Sequence, residues 1–191
     1  MRNYIYQENE TAVGQVKQRW KALLIATSMI ALPSPVLANS IVIDLPGVFE
    51  NDSALVSENG PIINITADDV RFINTATGQL NILNPGNAVF AGQLDSTVIE
   101  NNGEIEGGSV SVSDVLESAV TNAGSIITPT DGIDIFGGQS TDILNTGSIS
   151  AADRHDAISV LFTDIVTIVN EGSLFADGDV IFVGGHDSLN V

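Results

Sequence analysis

The sequence predicts an all-β chain wound as a parallel β-helix of about six coils, and three observations carry that prediction. A seven-residue phrase, [Ile/Val]-x-Asn-x-Gly-x-[Ile/Leu], occurs four times, at residues 99–105, 120–126, 143–149 and 168–174. Its asparagines, Asn101, Asn122, Asn145 and Asn170, stand 21, 23 and 25 residues apart, which is the interval of solenoid coils. Ahead of the last three copies an aliphatic pair recurs ten and twelve residues before the Asn: Val110 and Val112, Ile133 and Ile135, Ile158 and Val160. Alternation of that kind marks a strand with one buried face.

Each fixed position has a physical reason. Residues of one parity share a strand face, so Ile99, Val120, Ile143 and Ile168 form one internal row and Ile105, Ile126, Ile149 and Leu174 a second. An interior Asn is costly unless its amide is paired. Stacked coils offer each Asn the Asn above and below, so a ladder of internal asparagines is expected. Gly103, Gly124, Gly147 and Gly172 are read as sharp turns reached through positive φ. Isolated β-hairpins turning at Asn-x-Gly would not need the phrase at coil-length intervals.

Taken in order, the chain begins with a leader. Four of its six basic residues, Arg2, Lys17, Arg19 and Lys21, precede an apolar run over residues 22–32. That run is too short to span a membrane, which takes about 20 residues, and it fits the core of a secretory signal. Val36-Leu37-Ala38 supplies small residues at the positions a signal peptidase reads, so residues 1–38 are expected to be removed after Ala38. The remainder holds 22 acidic residues and two basic ones, Arg71 and Arg154, a net charge of −20. Such a surface disfavours nucleic acid and anionic lipid as partners. Without its leader the chain has no Trp or Tyr, which weakens any case for a sugar groove built on aromatic platforms. It has no cysteine, so stacking rather than disulfides must hold it together.

Residues 39–60 read as an amino-terminal strand and cap, with Ile41, Ile43 and Leu45 alternating before Pro46-Gly47. The coils are expected over residues 61–191, the first of them irregular: Phe72-Ile73-Asn74 followed by Gly78-Gln79-Leu80 is the phrase with two residues inserted. Counting back ten from Asn190 reaches Val180, which places the start of a last coil there. No linker divides the repeats, so one domain is expected.

The chemistry-bearing residues lie in the connections. Asp153-Arg154-His155-Asp156 is the densest polar cluster, yet consecutive residues point apart and the segment reads as a long loop. Gly184-Gly185-His186-Asp187-Ser188-Leu189 is similar to the repeat of calcium-binding β-rolls, one residue short and not recurring, which makes Ca²⁺ the one cofactor to test. Gly137-Gly138 in a matching place argues that the double glycine is a turn. His186 also breaks the Gly-Asp-Ser-Leu signature of one esterase group.

The leader, the acidic cysteine-free body and the Asn-x-Gly-x-Ile coils together resemble the passenger region of bacterial autotransporters. Asp131-Gly132-Ile133, Asp156-Ala157-Ile158 and Gly184-Gly185-His186-Asp187 stand where a subset of that family carries Asp-Gly-Ile/Val and a glycine-aspartate turn. The resemblance implies Sec-dependent export, a right-handed β-helix at the cell surface or outer membrane, and a host or cell-surface ligand. The family's β-barrel has no counterpart in residues 1–191, so the chain is expected to be an amino-terminal part of such a protein, with end-to-end self-association through its terminal edge. A non-enzymatic, adhesin-like or structural role is the leading expectation, with no catalytic residue. The alternatives are a polysaccharide lyase or hydrolase using acids such as Asp131 and Asp134, and a calcium-binding secreted repeat protein.

Overall fold

The computed structural model describes residues 40–191 and, as backbone only, two short strands at Gln18–Arg19 and Val36–Leu37. The proposed leader otherwise lies outside the described residues. From residue 40 onward the chain is an all-β parallel β-solenoid of about seven turns, with no helix among the described residues.

Each coil contributes up to three strands, one to each of three faces. The first face stacks residues 41–43, 63–65, 89–92, 110–113, 133–136, 158–161 and 181–184. The second stacks 47–51, 70–74, 96–101, 117–122, 140–145, 165–170 and 188–190. The third stacks 54–57, 79–82, 104–106, 125–128, 148–151 and 173–176. All these pairings are parallel, and each strand meets its counterpart one coil later. Residues 41–57, within the stretch 39–60 read from sequence as an amino-terminal strand and cap, supply a full first coil. We number the coils one to seven from there.

The interior is made of the expected rows. Ile99, Val120, Ile143 and Ile168 are paired in register and buried, extended by Phe72 in coil two. Ile105, Ile126 and Ile149 are buried on the third face, with Leu80 and Leu55 continuing the row backwards and a half-buried Leu174 ending it. Val110, Val112, Ile133, Ile135, Ile158 and Val160 line the first face. Burying each such side chain contributes about 1.5–3 kcal/mol, and no coil buries its row without a neighbour.

Two expectations need correction. The register opposes Ile181 to Ile158 and Val183 to Val160, while Asn190 faces Thr167. Asn190 is therefore not a repeat asparagine, and counting back from it to Val180 misplaced the last coil by three positions. The repeat glycines also act differently from the turn proposed for them. Gly103, Gly124, Gly147 and Gly172 do not adopt positive φ. What each needs is the absence of a side chain. A Cβ on Gly124 would collide with the carbonyl oxygen of Gly103, one on Gly147 with that of Gly124, and one on Gly172 with that of Gly147. The glycines stack on one another's carbonyls.

A column of positive φ stands instead at the corner between the first and second faces. Gln93, Asp114, Gly137, Phe162 and Gly185 follow that face's strands in coils three to seven, with φ of 60°, 54°, 74°, 57° and 68°. Glycine enters this region freely, whereas a bulky residue there costs roughly 1–2 kcal/mol. Phe162 is the outlier of the column.

The glycine contacts reverse a familiar trend. At a glycine whose φ other residues can adopt, substitution by alanine normally stabilises by about 0.4–1 kcal/mol. Gly86→Ala, with no heavy atom nearer than 3.9 Å to the new Cβ, should follow that trend. Gly124→Ala should instead destabilise by about 1–3 kcal/mol, the scale of overpacking. Urea denaturation of the two variants checks this; equal midpoints would remove the stacking argument.

Candidate functional site

The asparagine ladder is the most regular polar array in the molecule. Nδ2 of each Asn donates to Oδ1 of the Asn one coil on: Asn51 to Asn74, Asn74 to Asn101, Asn101 to Asn122 and Asn122 to Asn145 at 2.8 Å, then Asn145 to Asn170 at 2.7 Å. The second amide hydrogen has backbone acceptors, as where Asn101 Nδ2 donates to the carbonyl of Ser125 at 3.1 Å and Asn122 Nδ2 to that of Ser148 at 3.2 Å. The main-chain carbonyls of Asn101, Asn122 and Asn145 each accept two N–H groups of the next coil, those of Ala123 and Gly124, of Thr146 and Gly147, and of Glu171 and Gly172. Asn74, Asn101, Asn122 and Asn145 are buried; Asn170, in coil six, is exposed. Their hydrogen-bonding capacity is spent on stacking, so the array is structural.

Asn51 was missed from sequence, although a signal was there. Phe49-x-Asn51-x-Ser53-x-Leu55 is the repeat phrase with Ser in the place of Gly and Phe in the place of Ile or Val.

The polar corner between the third and first faces gathers the acids singled out from sequence. Asp131, Asp156 and Asp179 each precede a first-face strand by two residues, in coils five, six and seven. Asp131 Oδ1 accepts the Asp156 N–H at 2.8 Å, and Asp156 Oδ1 accepts the Asp179 N–H at 2.7 Å. These carboxylates therefore bond one coil to the next. His155 lies beside Asp131, with Nδ1 and Oδ1 3.1 Å apart, so the cluster 153–156 does bring one side chain to an acid of the preceding coil. Asp153 and Arg154 take φ of 57° and 71°, which carries the long connection around its bend.

Asp134 projects beside Asp131. Burial, and secondarily the negative charge of Asp131, pushes its carboxyl above the ordinary carboxylate range. Arg71 lies far from this corner, its Nε 2.7 Å from Glu100 Oε1, a partner that raises its pKa further and keeps it charged.

The double glycines are turns, in a register the sequence did not show. Gly137 aligns with Phe162 and Gly185, so the two pairs are offset by one residue. At residues 184–189 the N–H groups of Asp187 and Ser188 both donate to the Asp164 carbonyl at 2.9 Å. Among the described residues no three His, Cys, Asp or Glu side chains form a group that could hold a metal ion. Compared with protein-family models, curated proteins and solved structures, the chain matches none.

Removing one rung tests the ladder. Asn122→Ala leaves Asn145 Oδ1 without its amide donor in the interior and should destabilise by about 2–5 kcal/mol, counting the lost bonds and the cavity. Asn170→Ala, at an exposed rung, should cost about 1 kcal/mol or less. Equal losses in thermal or urea melts would refute a coupled internal array.

Asp134 carries a second test. A carboxyl whose folded pKa is raised destabilises the fold where it is ionised, and this penalty fades as pH falls through the folded pKa towards the unfolded one. Asp134→Asn should therefore raise Tm at pH 7, and the gain should shrink to nothing by about pH 3. A gain that persists unchanged in acid would point to packing instead.

Proposed function

We propose that the chain is an exported β-helical passenger of autotransporter type, adhesin-like or structural and non-enzymatic. The observation that carries this reading is the interior. An unbroken ladder from Asn51 to Asn170 commits the buried amides to stacking, which leaves variation to the outer faces and connections where a partner would meet the chain. The basic, apolar and small-residue succession of residues 1–38 supports export, and the absence of cysteine from the chain suits a rod held by repeated contacts.

Asp131, Asp134 and His155 support the alternative of a polysaccharide hydrolase, because a carboxyl with a raised pKa beside another carboxyl suits general acid chemistry. Two features weigh against it. Asp131 already holds the Asp156 N–H, and the exposed aromatics are phenylalanines without a polar handle.

Expression of the full chain in a Gram-negative host tests the proposal. The expected product is exported with Asn39 as its new amino terminus, and it leaves a soluble acidic polysaccharide panel intact. Retention in the cytoplasm with residues 1–38 still attached would sink the export reading. Depolymerisation abolished by Asp134→Asn would establish the hydrolase in its place.

A further inference from the structure

Coils five to seven present an aromatic surface that the stack itself does not use. Phe136 ends the first-face strand of coil five, and its ring meets that of Phe162 edge-on, with centroids 5.4 Å apart and planes at 74°. Phe162 sits one coil on at the left-handed corner, 59% exposed. Phe182 lies on the same face of coil seven and is also exposed. Gly184 and Gly185 close the gaps between them: a Cβ on Gly185 would lie 2.8 Å from Phe162 Cδ1, and one on Gly184 would lie 3.1 Å from Leu161 Cδ2 and 3.7 Å from Phe182 Cε1.

The same positions in neighbouring coils accommodate small residues, although Leu161 opposes Phe136 in coil six. The register counterpart of Phe136 in coil four is Ser113, and that of Phe182 in coil six is Ser159. The counterparts of Phe162 are Gly137 and Gly185. Phe162 thus holds a strained backbone conformation that glycine holds freely on either side, and it does so with its side chain mostly in solvent. Its contacts with Phe136 and Gly185 still leave 59% of its surface in solvent.

The rim of this surface is acidic. Asp134 precedes Phe136 by two residues, Asp164 follows Phe162 by two, and Asp187 donates its N–H to the Asp164 carbonyl. Asp114 lies against Gly137, the position below Phe162. The only Arg or Lys residues from 39 onward are Arg71 and Arg154: one is paired with Glu100 and the other lies in the connection at the opposite end of the first-face strand. His186 is the one nearby imidazole. Exposed aromatics inside a rim of one charge form a docking surface whose complement is apolar at its centre and basic around it.

We infer that the Phe136–Phe162–Phe182 surface binds a protein segment in which lysine or arginine alternates with large apolar side chains. A second copy of this chain is a poor occupant, since it would bring the same acidic rim against itself. The surface would serve an adhesin-like passenger but does not depend on export, so the two readings fail separately.

The test uses the purified full chain and three synthetic twelve-residue peptides, alternating Lys with Phe and Leu, Glu with the same apolar residues, and Lys with Ser. Fluorescence anisotropy at physiological salt should show binding of the Lys/apolar peptide at least about tenfold tighter than of either other peptide. Phe136→Ser with Phe162→Gly should weaken that binding by about tenfold or more, and Phe182→Ser alone should weaken it measurably. All three changes install residues that neighbouring coils already carry at those positions, so circular dichroism should be unchanged. Binding that survives the double substitution, or equal binding of the Lys/Ser peptide, would overturn the inference. So would light scattering that shows self-association abolished by the same substitutions, because the occupant would then be a second copy.

Discussion

A primary amide repeats its own hydrogen-bond demand when it is translated along one axis. Its N–H points one way and its carbonyl the other, so identical amides set a strand spacing of about 4.7–4.9 Å apart can bond in an endless line. That translation is what the interior of this protein imposes. The bonds from Asn51 to Asn170 hold at 2.7 to 2.8 Å although the coils they join differ from 21 to 27 residues in length. One coil displaced along the axis would leave a buried donor and a buried acceptor unpaired, so the ladder fixes the register of the other faces. The glycine two residues on follows from the same closeness. With the Asn carbonyl taking two N–H groups of the next coil, the following residues lie directly over one another and no Cβ fits between them.

Differences in coil length are absorbed away from the ladder. The connection between the third and first faces lengthens most, and in coil six it carries Asp153 and Arg154 through consecutive left-handed conformations. At this corner a chain short of cations turns carboxylates to use. Asp131 and Asp156 accept N–H groups from the coil above, so acids close together in adjacent coils are held by backbone dipoles rather than by counter-charges.

The rows and the ladder were legible because a translational stack repeats the same demand at the same sequence position, and four copies of Asn-x-Gly expose it. Asn51 and the first coil were not, because Phe49 and Ser53 depart from the phrase at two of its fixed positions while satisfying the same geometry. The role of glycine was misassigned for a physical reason: glycine answers both to positive φ and to close approach, and only the neighbouring coil distinguishes them. Asn190 misled because an isolated Asn near the end carries no register of its own. The aromatic surface was invisible to a search for repetition, since its residues break the pattern of the coils around them.

A chain this acidic should resist stacking, because like charges opposite one another on adjacent strands repel. The register shows how the strands avoid it. Glu100 faces Ile73 and Thr121, Glu104 faces Gln79 and Ser125, and Glu106 faces Asn81 and Ile127. Glu117 faces Ser96 and Ser140, Asp134 faces Ser111 and Ser159, and Asp142 faces Ala119 and Thr167. In the strands, no acid is opposed by another acid. Gln79 and Asn81 donate to Glu104 and Glu106 at 3.3 and 3.5 Å, so two of these carboxylates gain a neutral donor from the coil below. Where one column does carry two acids, Glu50 and Glu100, Ile73 stands between them, so the pair lies two strand spacings apart, roughly 10 Å, near the Debye length at physiological salt. Among the uncharged outward positions of coils five to seven stand four exposed phenylalanines, Phe136, Phe162, Phe175 and Phe182.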